Sequence, residues 1–149
     1  MIVQKTALFP AGRDTVFEKL RHLETLQYIA KPYAAFEPVD DAVQVWTEGS
    51  TSSYRFRLFG LIPFGTHTIH IVRFAPDGIM SREENKHVPV WNHEIRMEQT
   101  DEQHTRYVDR VKIQAGWKTV FVWLWANAFY AHRQRRWIKL LKKDESCIE

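Results

Sequence analysis

The sequence predicts a single α+β domain in which an antiparallel sheet is combined with a long C-terminal helix. Three observations support this fold class. Apolar residues follow helical spacing after residue 14, alternate with a period of two between residues 35 and 113, and return to helical spacing from residue 117. The chain of 149 residues has the length of one ordinary domain. We expect residues 1–143 to form this domain and residues 144–149 to be a polar tail.

The first elements are a predicted strand over Ile2–Phe9 and two short helices after it. Asp14 suits the N-cap or the first turn of a helix. Leu26 and Ile29 extend the helical pattern into a second short helix, and Pro32 ends it, because the proline ring disfavours a helical residue before it. The apolar residues of the first helical stretch are Val16, Phe17, Leu20 and Leu23.

The middle of the chain reads as an antiparallel meander of short strands. In the clearest strand, Tyr54, Phe56 and Leu58 alternate with Arg55 and Arg57, as in a half-buried strand. With the first strand these segments make a sheet of about seven strands. Turn signals separate them, at residues 60–65 and 76–78 for example. The predicted strand segments are residues 43–47, 54–58, 66–74, 79–84, 91–98 and 106–113.

One long helix is predicted after Gly116, ending near Leu141. About 25 residues at 1.5 Å per residue span roughly 38 Å. Its apolar surface is broader than that of an ordinary amphipathic helix. The residues that broaden it are Trp123, Trp125, Phe129, Tyr130 and Trp137.

Composition excludes the disordered, collagenous and low-complexity classes, because 44% of the residues are apolar, 26% are charged, and Gly and Pro number six each. The chain is rich in rings, with nine Phe, five Tyr and six Trp.

Met1–Lys5 lead into a strand pattern without a signal-peptide stretch. The longest apolar-rich run, Val120–Tyr130, is shorter than the roughly 20 residues of a membrane span. The single cysteine, Cys147, has no partner for a disulfide or a zinc site. We expect a cytoplasmic protein without a transmembrane segment.

The net charge of +3 has a local origin. Residues 131–143 contain six basic residues and no acidic one, whereas residues 1–130 carry equal numbers of both. The basic stretch is interpreted as a solvated helix end that complements the helix dipole, as a weak contact with an anionic surface, or as a contact with nucleic acid phosphates. No specific nucleic acid partner is expected, because no recognisable binding module is present. The residues of the anionic-surface hypothesis are Arg133, Arg135, Arg136 and Lys139.

His93 and Asp109 form the most informative polar pair. Each lies on the more apolar face of its predicted strand, and a tight turn near residues 101–103 makes the two strands antiparallel neighbours. Asp109 is therefore expected opposite His93 or diagonal to it, within side-chain reach. Such a carboxylate fixes the tautomer of an imidazole and raises its pKa. The pair has three interpretations: a self-satisfied structural pair, a ligand anchor, or an acid–base catalytic pair without an evident nucleophile.

Other catalytic and metal signatures are missing from the sequence. His67 and His70 are three residues apart on a predicted strand and point to opposite faces, so they could share a metal ion only across a bulge. The chain has no phosphate-binding glycine loop and no Gly-x-Ser-x-Gly elbow. We predict no metal site and no cofactor.

Three segments resemble the helix-grip superfamily, also called START-like or SRPBCC, whose members include Bet v 1-like proteins, lipid carriers and polyketide cyclase-like proteins. They are Leu8–Phe17, the Trp91-Asn92-His93 strand start, and Thr105–Val111, which is similar to a Thr-x-x-x-Asp-x-Val pattern. The order of elements over residues 2–141 matches that family as well. The resemblance implies a curved sheet wrapped around the long helix, with a ligand cavity between them.

The resemblance leaves two possible roles for the many aromatic side chains, which either fill a core or line a cavity. Rings on the helix and on the facing strands could pack on each other or surround an apolar ligand. The turn over residues 59–64 could act as a lid over the mouth of such a cavity. The candidate ligand-binding residues are Tyr54, Phe56, Trp91, His93, Ile95, Tyr107, Asp109, Trp117, Phe121 and Leu124.

Three classes of function follow from this interpretation. A carrier or sensor for a small hydrophobic or amphipathic molecule, lipid-like or polyketide-like, is favoured, because apolar residues outnumber polar ones at inward positions. A cyclase-, dehydratase- or hydrolase-like enzyme would use His93 and Asp109. An interaction module would have a filled core and an exposed apolar patch on Trp123, Trp137 or Phe59.

Overall fold

The computed structural model describes residues 1–39 and 45–148, with the side chains of residues 1–39 and 45–144. Within these residues, seven strands form one antiparallel sheet in the order β1-β7-β6-β5-β4-β3-β2. This confirms the predicted α+β fold. The strands are β1 (Ile2–Phe9), β2 (Ala34–Pro38), β3 (Thr51–Leu58), β4 (Ile62–Ala75), β5 (Gly78–Asn85), β6 (Val88–Asp101) and β7 (His104–Gln114).

Alternating polarity explains why these segments form a sheet with one buried face. Along β7 every second side chain from Thr105 to Ile113 is buried, and the residues between them face outward. Irregularities in register occur in β3 between Arg55 and Arg57 and in β4 between Ile71 and Arg73. Such bulges increase local twist and bend the strands.

The predicted strand over residues 43–47 is not a strand in its described part. Residues 43 and 44 lie outside the described residues, and Val45 forms an isolated bridge with His22. The second strand of the sheet is instead β2, which follows the α-helices directly and pairs with β3. Apolar and polar residues hardly alternate in this strand, whose inward positions are Ala34, Phe36 and Pro38. Period-two polarity therefore does not detect it.

Two short helices and one long helix cover the concave face of the sheet. They are α1 (Arg13–Leu20), α2 (Leu23–Ala30) and α3 (Thr119–Ile148), the last preceded by a 3-10 turn over Gly116–Lys118. Helix α3 has 30 residues and extends past the predicted end near Leu141. Neither glycine nor proline follows Leu141, and an ion pair between Lys19 and Asp144 ties this part of α3 to α1. The residues expected to be a polar tail are therefore helical as far as residue 148.

The buried apolar side chains form two clusters along α3. Phe9, Tyr107 and Trp137 belong to the cluster beside the C-terminal half of α3, together with Leu141. Trp91 and other rings belong to the cluster beside its N-terminal half. Side chains of both clusters border the internal space described below, but Phe9, Tyr107, Trp137 and Leu141 do not.

Candidate functional site

A cavity of about 410 Å³ lies between the concave face of the sheet and the N-terminal half of α3. Its volume falls within the range of small-molecule sites. It opens beside the start of α3, where Trp117 and Phe121 line it while remaining 81% and 67% exposed. Its wall is mainly apolar and includes Ile29, Phe36, Phe56, Ile71, Trp91 and Trp125.

The His93–Asp109 pair belongs to the polar part of this wall, where His93 lines the cavity and Asp109 lies behind it. The register pairs His93 with Val111 and Ile95 with Asp109, so the two side chains are diagonal neighbours on one face. The Nε2 of His93 donates to Oδ1 of Asp109 at 2.7 Å, and both side chains are buried. Gln134 of α3 donates to the other oxygen, Oδ2, at 3.1 Å. The structure therefore confirms the predicted contact and adds a donor from the helix.

A second carboxylate, Glu83 on β5, extends this pair into a network. His67 Nε2 donates to Oε2 of Glu83 at 2.7 Å, and the Ser81 hydroxyl donates to Oε1 at 2.7 Å. The Nδ1 of His93 lies 3.8 Å from Oε1 of Glu83, which is within ion-pair range. A buried chain thus runs from His67 through Glu83 and His93 to Asp109.

Arg133 adds a buried cation to the same region of the cavity wall. It comes from α3, and only 6% of its surface is exposed. Its guanidinium carbon lies 5.0 Å from the ring centroid of Tyr130 and 5.7 Å from that of Phe129. Its Nε has no hydrogen-bond partner within the described part of the chain. We call the cavity-lining groups Ser81, Glu83, His93 and Arg133, with His67, the polar pole.

Comparison with known proteins places the chain in a family. The family model for the domain of unknown function DUF8410 matches residues 29–141. The chain belongs to the DUF8410 family. No curated protein matches it.

Solved structures show that this DUF8410 protein has the predicted START-like helix-grip fold. A START superfamily protein from Mycobacterium smegmatis is similar with a TM-score of 0.74 at 12% identity, covering 95% of this chain and 97% of that chain. The Zhui aromatase/cyclase from Streptomyces sp. R1128 has a TM-score of 0.67 at 16% identity, covering 100% and 96%. The Aha1 dimer from Colwellia psychrerythraea has a TM-score of 0.67 at 11% identity, covering 95% and 96%. At such identities the likeness concerns the fold alone.

The protonation of the polar pole follows from its burial and its short contacts. Burial opposes ionisation of Glu83, but the hydrogen bond from His67 and the nearby imidazole of His93 together outweigh it and hold the pKa of this carboxyl well below its ordinary range. Burial also opposes charge on His93, and the carboxylates of Asp109 and Glu83 outweigh it, so the pKa of His93 is raised. Burial opposes charge on Arg133 as well, but Asp109 and the other acidic groups around it together outweigh burial, so the pKa of Arg133 is raised. The carboxyl groups of Glu83 and Asp109 thus face the side chains of His93 and Arg133 in the DUF8410 site.

Six of the candidate ligand-binding residues line the cavity and four do not. Tyr54 is fully buried and accepts a hydrogen bond from Trp46 Nε1 at 3.2 Å. Tyr107 packs at the other end of the sheet, Asp109 is shielded by His93, and Leu124 is 55% exposed. The residues that line the cavity are Phe56, Trp91, His93, Ile95, Trp117 and Phe121.

The structure separates the four residues of the anionic-surface hypothesis into two inward-facing and two exposed ones. Arg133 points into the cavity, and Arg136 donates to the Tyr28 carbonyl oxygen at 3.1 and 3.2 Å. Only Arg135 and Lys139 of the four named residues are exposed. The helical period divides the stretch between two faces, because residues 133 and 136 face the domain while 135 and 139 face away.

Sequence reasoning missed Glu83, His67 and Arg133 as members of the site. Glu83 shares strand parity with Ile79 and Ser81, and this parity was the signal that could have placed it inward. His67 is buried while His70 is exposed, as expected from their spacing. Within the part of the chain that the structure describes, no group of three or more His, Cys, Asp or Glu side chains is arranged to hold a metal ion.

Proposed function

We propose that this DUF8410 protein binds a small amphipathic molecule in the cavity, as a carrier or sensor. The observation that carries the proposal is an apolar cavity of about 410 Å³ with a polar pole on one wall. Such a site binds by burying apolar ligand surface and uses a few polar groups for orientation. The lipid-like or polyketide-like character of the ligand is part of the proposal.

Hydrogen-bond donors in the cavity wall that have no partner among the described residues indicate which polar groups the ligand carries. Both oxygens of Glu83 already accept hydrogen bonds, from His67 and from Ser81. In contrast, Arg133 Nε and Trp125 Nε1 are buried without a partner among the described residues. Because a buried donor without a partner is costly, a ligand with acceptor oxygens, such as a carbonyl or carboxylate group, would satisfy them. Arg133 and Trp125, with His93, are therefore the proposed polar contacts, whereas Tyr107 and Asp109 do not line the cavity.

The test is ligand capture with a cavity-filling variant and a matched control. Gentle extraction of the purified protein, followed by mass spectrometry, detects a bound ligand. Binding of the apolar dye anilinonaphthalene sulfonate, and its displacement by extracted ligand, are measured in parallel. Ile71→Trp places a larger side chain in the cavity, whereas Val72→Trp places it on the outer face of the same strand. We expect Ile71→Trp to weaken dye binding by more than about tenfold, a loss of about 1.4 kcal/mol, and Val72→Trp to leave it unchanged. An empty extract together with no dye binding would contradict the proposal.

An acid–base enzyme is the second candidate, because His93 lines the cavity with Asp109 hydrogen-bonded behind it. This arrangement supports proton transfer at a carbon next to a ligand carbonyl. The likeness to an aromatase/cyclase agrees with this chemistry at the level of fold. Deuterium uptake by a bound methyl ketone, followed by NMR, tests it. Catalysis predicts uptake that is lost in His93→Gln with dye binding retained; equal uptake in both proteins argues for binding alone.

The interaction-module hypothesis predicted a filled core, and the cavity argues against it. Trp137 is fully buried, and Trp123 Nε1 donates to the Ile2 carbonyl oxygen at 2.9 Å, so neither forms an exposed patch. Phe59 is 51% exposed.

A further inference from the structure

The exposed apolar side chains of this protein are concentrated on two segments. Leu61 is 82% exposed and Trp117 is 81% exposed, although both are large apolar residues. The β3–β4 turn presents one group and the first turns of α3 present the other, and large contiguous patches of this kind mark interaction sites. We call the two groups the apolar rim: Phe59, Leu61 and Ile62 at the β3–β4 turn and the start of β4, and Trp117, Val120 and Phe121 on the 3-10 turn and the first turn of α3.

The apolar rim surrounds the mouth of the cavity. Leu58 and Phe64 flank the β3–β4 turn and line the cavity from one side. Trp117 and Phe121 line it from the other side, where α3 begins. A surface that covered the rim would therefore also cover the opening of the ligand site.

Two lysines without an ion-pair partner among the described residues accompany the rim. Lys118 lines the mouth, and Lys86 lies beside Gly65, where an added Cβ would be 3.4 Å from its side chain. Residues 57–66, 85–93 and 110–143 contain no Asp or Glu. In the described part of the chain neither lysine forms an ion pair. Burial and the charges of Lys118 and Lys86 also lower the pKa of His87 between them.

We propose that the apolar rim docks on an anionic lipid bilayer, so that the cavity opens toward the membrane. Exposed Trp and Leu side chains insert at the headgroup boundary, and nearby lysines are attracted to anionic lipids. A second copy of the chain fits this surface less well. A two-fold contact places each patch against itself, which would bring Lys86 and Lys118 close to the same charges of the partner copy.

Vesicle co-sedimentation tests the proposal independently of any cavity ligand. The probe is phosphatidylcholine vesicles containing about one-third phosphatidylglycerol, with pure phosphatidylcholine as the uncharged comparison. We expect binding to the anionic vesicles that weakens with salt. Leu61→Ser combined with Ile62→Ser, and separately Lys86→Glu, are each expected to reduce it by more than about tenfold. None of these three residues lines the cavity, so dye binding without vesicles should stay at its original strength.

Two controls match the variants in chemistry but not in position. Val72→Ser removes an exposed apolar side chain from the outer face of β4, and Lys139→Glu reverses an exposed charge near the other end of α3. Both should bind vesicles like the original protein. Loss of binding in Lys139→Glu but not in the rim variants would overturn the proposal and assign the contact to the basic helix end. No vesicle binding, or rim variants that only dissociate a dimer in light scattering, would overturn it as well.

Discussion

The N-terminal half of helix α3, together with the 3-10 turn before it, carries more rings than the C-terminal half, and the two have opposite surroundings. In the C-terminal half, Trp137 is fully buried and stacks near Phe9 at 5.6 Å, and Phe9 stacks on Tyr107 at 4.4 Å. In the N-terminal half, Trp117 and Phe121 are largely exposed and border a cavity of about 410 Å³. Aromatic rings of one helix therefore occur both in a packed core and in the wall of a ligand site. What distinguishes them is whether the opposite strands supply side chains that fill the space.

The largest expected effect contrasts one tryptophan from each half. Trp137→Ala removes a fully buried side chain from the packed half, so we expect it to lower the unfolding free energy by about 3–5 kcal/mol. Trp117→Ala removes an exposed side chain, and we expect a change within about 0.5 kcal/mol. Urea unfolding of both variants measures the contrast. Equal losses would show that the start of α3 is packed like its end.

The next largest effect is expected at the buried pair of His93 and Asp109. Asp109→Asn keeps the shape of the side chain but removes the charge that faces His93, and we expect it to cost about 2–3 kcal/mol of unfolding free energy. The exposed pair of Asp101 and His104 is the matched control, with a ring nitrogen to carboxylate distance of 2.9 Å. Asp101→Asn should leave stability nearly unchanged, because water screens the pair. A loss in Asp101→Asn as large as that in Asp109→Asn would contradict the importance of burial.

The pH dependence of stability gives a third test of the polar pole. Because the folded pKa of His93 is raised, its contribution is fully present below the unfolded value of about 6.5 and is lost as pH rises through the folded pKa. The folded pKa of Glu83 is depressed, so its contribution is present above its unfolded value of about 4.3 and is lost as pH falls through the folded pKa. We therefore expect His93→Gln to flatten the alkaline side of the stability profile and Glu83→Gln to flatten the acidic side. Unfolding curves at several pH values check both, and a steeper profile in either variant would contradict the assignment.

Much of the fold was predictable because its elements carry strong local periodicity. The alternation in β3, β6 and β7, together with the helical spacing of α3, predicted the sheet and its long helix. The His93–Asp109 contact was predictable for the same reason, because strand parity and a short turn determine which side chains meet. β2 was not predictable, because Ala34 and Phe36 alone do not make a pattern.

The composition of the site depended on tertiary packing and was predicted only in part. Arg133 lies in a basic stretch, and its burial depends on which face of α3 meets the sheet. Tyr107 satisfies the same parity rule as His93, yet it packs against Phe9 because the helix closes over that end of the sheet. The cavity itself depends on the distance between α3 and the strands, which no local pattern encodes.

The central claim is that the space beside the N-terminal half of α3 accepts a ligand and the space beside its C-terminal half does not. Solution NMR with decanoate as the probe tests this claim most directly, through magnetisation transfer between its methylene protons and protein side chains. We expect transfer to Ile71, Trp91 and Trp125 and none to Trp137 or Leu141. Saturable transfer to Trp137, or no transfer to the cavity residues at any decanoate concentration, would contradict it.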